Sequence, residues 1–88
     1  MSSRPDAWPA ARLHYTSTVL RVVVDSSSLR SIGYDAAALT LEVEFRNGSV
    51  YRYANVPSEL WGRFRRAESV GKFFQDHVRD QFETTRVA

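Results

Sequence analysis

Residues 39–48 constrain this chain more than any other stretch. Leu39-Thr40-Leu41-Glu42-Val43-Glu44-Phe45 alternates strictly between apolar and polar side chains, and Arg46-Asn47-Gly48 follows at once. Successive side chains of a strand point to opposite faces, so this alternation reads as a half-buried antiparallel strand. Asn-Gly after such a run is the strongest short-range hairpin signal. Residues 49–54 therefore return as the partner strand and carry Tyr51-Arg52-Tyr53.

Two registers are open, and they differ in what the tyrosines do. A two-residue Asn47-Gly48 loop sets Glu44 opposite Tyr51 and Glu42 opposite Tyr53, with both rings on the acidic face. A three-residue Arg46-Asn47-Gly48 loop, Gly48 left-handed, sets Val43 opposite Tyr51, Leu41 opposite Tyr53 and Glu42 opposite Arg52. A slip of one residue exchanges the two faces entirely. The second register gives apolar pairs on one face and an ion pair on the other, each stabilising by roughly 0.2–1 kcal/mol. It is preferred, although it leaves Val50 on the glutamate face.

The rest of the chain fits around this hairpin. Residues 1–18, with Pro5 and Pro9, show no sustained period and read as a flexible tail. Residues 19–24 are a β-branched run, an extended arm or strand. Asp25-Ser26-Ser27-Ser28 ends that run with turn chemistry. Residues 29–34 are a second extended segment, closed by Asp35. After Val56-Pro57 the period turns helical, with Pro57 suited to the first helical position. Leu60, Trp61, Phe64 and Ala67 form one apolar stripe. Ser69 is placed to cap a second helix, with Val70, Phe73, Phe74, His77, Val78 and Phe82 on one side. Gly71 in its first turn lowers helix propensity, which points to close packing there. Residues 85–88 read as a frayed tail. The expected fold is α+β: one domain over residues 19–84, an antiparallel sheet of three or four strands, and two C-terminal helices on one face.

Composition narrows the class of function. The chain has 88 residues, 43% of them apolar, enough for one domain with one core. It has no Cys, which removes disulfides, thiol nucleophiles and thiolate metal sites together. No apolar run approaches the roughly 20 residues of a membrane span, and the N-terminus lacks the apolar core of a signal peptide. A cytoplasmic protein away from membranes is expected. The net charge is only +2, but eleven of the 12 basic residues are Arg, the better partner for phosphate and aromatic faces. Arg is also common in proteins of GC-rich genomes.

Several blocks, in order, carry a family resemblance: Val24-Asp25-Ser26-Ser27, Ile32-Gly33-Tyr34, residues 41–48, Val50-Tyr51-Arg52-Tyr53, Val56-Pro57, and Ala67-Glu68-Ser69-Val70-Gly71-Lys72-Phe73-Phe74. Over roughly residues 20–83 the chain resembles the KTSC domain, named for the C-terminus of certain lysyl-tRNA synthetases and found also as small stand-alone bacterial proteins. Its most recognisable element, a central Tyr-x-Tyr, is matched by Tyr51-Arg52-Tyr53. The resemblance implies no catalytic residue. It implies RNA binding only through the synthetase association. Lys72 falls where the family often has a basic residue.

The candidate contacts weigh as follows. Tyr51 and Tyr53, with Tyr34, would stack bases if exposed, and Arg52 between them would meet phosphate. The competing reading puts both rings under the helices and pairs Arg52 with Glu42, and the preferred register favours it. Arg63, Arg65 and Arg66, with Lys72 and Arg79, would form a basic stripe. Against this, residues 57–83 hold five basic and five acidic groups. Ser26 to Ser28 read as a turn, His77 as a boundary histidine, and Glu42 and Glu44 as a solvated face. No catalytic constellation, metal site or cofactor is expected. The expected function is a non-catalytic, monomeric RNA-binding domain, RNA ahead of DNA, with Tyr34, Arg46, Tyr51, Arg52, Tyr53, Arg63, Arg65, Arg66 and Lys72 as contacts. The alternative is a protein-interaction module that offers a sheet edge or an apolar patch of Trp8, Leu13 and Trp61.

Overall fold

The computed structural model describes residues 19–88. The flexible tail expected over residues 1–18, with Trp8 and Leu13, lies outside the described residues. The hairpin adopts the three-residue loop. Phe45 N–H donates to the Ser49 carbonyl at 2.8 Å, and Gly48 N–H to the Phe45 carbonyl at 2.9 Å. Gly48 has φ 93°, a left-handed backbone that glycine adopts without a side-chain clash. The pairs are Leu41 with Tyr53, Glu42 with Arg52, Val43 with Tyr51 and Glu44 with Val50.

Five strands form one antiparallel meander in chain order: β1 (Arg21–Val23), β2 (Leu29–Asp35), β3 (Thr40–Phe45), β4 (Val50–Tyr53) and β5 (Thr84–Arg86). Between β4 and β5 run α1 (Ser58–Arg65) and α2 (Val70–Phe73), the latter continuing into a π turn over Phe74–Val78. The helices cover the face bearing Ile32, Leu41, Val43 and Tyr53. Phe64, Val70, Phe74 and Val78 close the core over them.

Several local expectations are corrected. Residues 85–88 do not simply fray: Thr85 and Arg86 belong to β5, which pairs through Thr84 with Tyr53, Thr85 with Arg52 and Arg86 with Tyr51. Beyond β5, Val87 N–H donates to the Val50 carbonyl at 2.8 Å. The unsatisfied edge of β4 supplies the order that residues 84–88 lack in their own pattern. Leu39 is not a strand residue. It is exposed at φ 54°, ending a turn in which Asp35 Oδ1 accepts from the N–H groups of Ala37 and Ala38. Reversing the chain there needs a left-handed residue, and no glycine is present. Such a conformation costs roughly 1–2 kcal/mol outside glycine. Leu39→Gly is therefore expected to raise stability by up to about 1 kcal/mol, read as a higher urea midpoint.

Pro57 is the cap of α1 rather than its first residue. Its ψ of 146° is extended, and its carbonyl accepts from Leu60 N–H at 3.0 Å. Ser69 caps α2 as expected, its hydroxyl accepting from Lys72 N–H. The second helix stops at Val78 instead of reaching Phe82. Arg79 N–H bonds back five residues to the Phe74 carbonyl, and Asp80 turns left-handed at φ 63°. Gly71 packs closely, as its position implied: a Cβ there would lie 3.0 Å from Ser26 Oγ.

Glu42 and Glu44 do not form a solvated face. Glu42 is fully buried, with Arg52 Nε 3.1 Å from Oε1 and Arg21 Nη1 3.3 Å from Oε2. Glu44 Oε1 accepts from Ser31 Oγ at 2.8 Å, and Arg30 lies 3.8 Å from its other oxygen. Arginines from both flanking strands thus cover the carboxylates, and a buried charge needs such partners.

Candidate nucleic-acid interface

The nine candidate residues separate into distinct places. Tyr34 belongs to the core layer. Its ring stacks on Trp61 with centroids 5.6 Å apart, and its hydroxyl donates to the Val56 carbonyl. Burial, with Asp35 nearby, raises its pKa. Trp61 is therefore engaged in this stack, and the other two residues of the expected patch, Trp8 and Leu13, lie outside the described residues. Tyr53 is 5% exposed and meets the edge of Phe74 at 5.8 Å. Tyr51 is half-buried on the same face, edge-on to Phe45 at 5.5 Å. Arg52 lies on the opposite face against Glu42. Arg46 sits in the hairpin loop, its Nε donating to the Ser26 carbonyl at 3.0 Å.

Burial pushes the Tyr53 hydroxyl up to about 12, with Tyr51 and Asp80 adding to the shift. A tyrosine whose folded pKa exceeds its ordinary value near 10 holds its proton longer when folded. Its contribution is complete below pH 10 and is lost as pH rises toward 12. Over that window stability is expected to fall by up to roughly 1.4 kcal/mol per pH unit. Tyr53→Phe should flatten this loss, measured by urea unfolding at pH 9, 10 and 11.

Three cations do converge. Arg63, Arg66 and Lys72 line one cleft of about 520 Å³ between α1 and α2, together with Phe73 and His77. Helical spacing places Arg63 and Arg66 one turn apart, and the short α1–α2 link brings Lys72 across to them. Arg65 is exposed on α1 but is not among the residues lining the cleft. Phe73 organises the base of the cleft. One contact is a stack on Phe64 at 5.4 Å; others are Arg63, 5.5 Å from its ring centroid, and His77 at 4.5 Å. A guanidinium over an aromatic ring is held in place while its N–H groups stay outward. Glu68 and Asp76 share the cleft, and Asp76 pairs with Lys72 at 2.9 Å. That pair is exposed and one turn apart, so it is weak and screened.

Phe73 and His77 were legible only as core-stripe residues. Their i, i+4 spacing on the helix carrying Lys72 was the available signal for an aromatic floor. Among the described residues, no group of three or more His, Cys, Asp or Glu could hold a metal ion. Also among them, no helix is long and apolar enough to cross a membrane.

The fold and register define a five-stranded meander domain with a two-helix cap and a basic cleft in that cap. The chain belongs to the KTSC domain family, whose profile matches residues 25–82. It is 46% identical over 61 residues to an uncharacterized protein of Stutzerimonas stutzeri, covering 69% of this chain and 86% of that one. It is 30% identical over 59 residues to a lysine–tRNA ligase of Nostoc, covering 67% of this chain but only 10% of the enzyme. The crystal structure of a KTSC domain protein from Yersinia pestis superposes with a TM-score of 0.78 at 34% identity, covering 81% of this chain and all of that one.

Proposed function

We propose that this domain is a non-catalytic RNA-binding module that receives the phosphate backbone in the cleft between α1 and α2. The observation that carries the reading is the convergence of Arg63, Arg66 and Lys72 around Phe73 in one concavity. Guanidinium and ammonium groups held over an aromatic floor suit a flexible, phosphate-rich strand. Support for RNA over DNA comes from the lysine–tRNA ligase relative, whose name makes tRNA its substrate. Support for a non-catalytic role comes from the same geometry. His77 lies against Phe73, and Glu42 is enclosed by arginines. A cytoplasmic location fits an RNA partner.

Three phosphate contacts set the expected salt dependence. For single strands the slope of log K against log salt is about −0.7 per contact, so about −2 here. Affinity for a short single-stranded RNA should fall roughly 15-fold between 50 and 200 mM salt. Fluorescence anisotropy measures this. Absence of binding at the lowest salt would sink the reading.

A second reading rests on a different observation. Among the described residues β1 is an edge strand; its Val23 is 84% exposed and Leu20, just before it, 91%. An edge of this kind can accept a partner strand. Sedimentation of the RNA-free protein separates the two: self-association favours the edge, a monomer favours the cleft.

A further inference from the structure

A second concavity lies on the other side of α2, bounded by β4, the hairpin end and the π turn. Its volume is about 480 Å³, within the roughly 300–1,000 Å³ common for ligand sites. Half-buried Tyr51 gives it an aromatic wall, backed by the nearly buried Tyr53 and Phe74, and Asn47, Gln75, Arg79 and Asp80 also line it. Both amides have their oxygen engaged. Asn47 Oδ1 accepts from Ser49 N–H at 2.9 Å, and Gln75 Oε1 accepts from Arg79 Nη1 at 2.9 Å. Each therefore offers its NH₂ group as a donor. The Tyr53 hydroxyl keeps its proton throughout the neutral range and is a further donor. Two irregular backbone features converge here as well: the π turn and left-handed Asp80. Such features concentrate at functional sites.

An aromatic wall with several donors suits a flat ring whose edge carries carbonyl oxygens. Uracil and guanine carry carbonyl oxygens on such an edge, whereas adenine carries an amino donor in place of the carbonyl. The groove adjoins the cleft through a polar hollow: Ser28 and Gln75 line both groove and hollow, Lys72 lines both hollow and cleft, and Asp25, Glu68 and Asp76 also line the hollow. We propose that this groove receives one unpaired keto base, uracil or guanine, from the strand whose phosphates lie between α1 and α2. The strand's path rests on the RNA-binding reading; the choice of base rests on the groove alone.

The test uses the full chain, wild type and Gln75→Leu, at low salt. Gln75 is exposed, so this variant leaves the core intact. The probes are a uridine hexamer, an adenosine hexamer and a ribose-phosphate hexamer without bases. The uridine hexamer should bind more tightly than the other two. Gln75→Leu should weaken uridine binding about fivefold and leave the abasic chain unchanged. In NMR spectra the Gln75 and Asn47 side-chain amides should shift with uridine but not with the abasic chain. Equal affinity for uridine and abasic chains, or a Gln75→Leu loss common to all three probes, overturns the base site and leaves phosphate binding standing. No binding by any probe overturns both.

Discussion

Tyr53→Ala is expected to destabilise the domain by about 3–5 kcal/mol, the range for deleting a buried aromatic ring. Tyr53 is almost wholly buried, faces Leu41 across the hairpin and packs edge-on against Phe74. Small domains hold roughly 5 kcal/mol or a little more in total, so the variant should be largely unfolded near physiological temperature. An exposed stacking tyrosine behaves otherwise: its removal shifts stability by less than about 0.5 kcal/mol and only weakens binding. Urea unfolding distinguishes the two outcomes. Tyr53→Phe should remain folded at neutral pH, because the ring, not the hydroxyl, fills the core.

The combined variant Arg63→Ala, Arg66→Ala, Lys72→Ala should do the opposite. All three side chains are exposed, so stability should change little, apart from roughly 0.5–1 kcal/mol for the lost contact of Arg63 with Phe73. RNA affinity at low salt should fall on the order of 100-fold, at about 1 kcal/mol per lost phosphate contact. Arg52→Ala offers a contrast within the same charge class. It removes an arginine that covers the buried Glu42, so its cost should appear in stability.

How far the sequence speaks can be judged from single residues. The hairpin register was legible because Leu41, Val43, Glu42 and Arg52 all agree on one pairing, and a slip would break every pair at once. β1 was legible from Val22 and Val23 as an extended arm or strand, but β5 was not. Thr84, Thr85 and Arg86 carry no apolar alternation and are ordered by the free edge of β4. Leu29 and Ile32 both face the core although an odd spacing separates them. A bulge between Leu29 and Ser31 restores the phase, and nothing in the local residues marks it. Glu42 misled for a related reason. Alternation assigned it to the outer face correctly, but only the pairing of β1 brings Arg21 over it.

The candidate interface was legible in part. The sequence grouped tyrosines and arginines as one binding set, yet the sheet sends Tyr34, Tyr51 and Tyr53 toward the helices and Arg52 to the opposite face. Arg63, Arg66 and Lys72 are 3 to 9 positions apart in the chain and meet only because α1 and α2 turn back on each other. In this chain Tyr51 and Tyr53 pack toward the core and Arg52 pairs with Glu42 on the outer face. The charge that suits phosphate lies in the helical cap.

The most direct test is an NMR titration of the ¹⁵N-labelled protein with a short single-stranded RNA at low ionic strength. Expected are shifts at Arg63, Arg66, Lys72, Phe73 and His77, reversed by added salt, with β1 unaffected. Shifts confined to the β1 edge, or none at all, would contradict the assignment of the cleft as the RNA-binding surface.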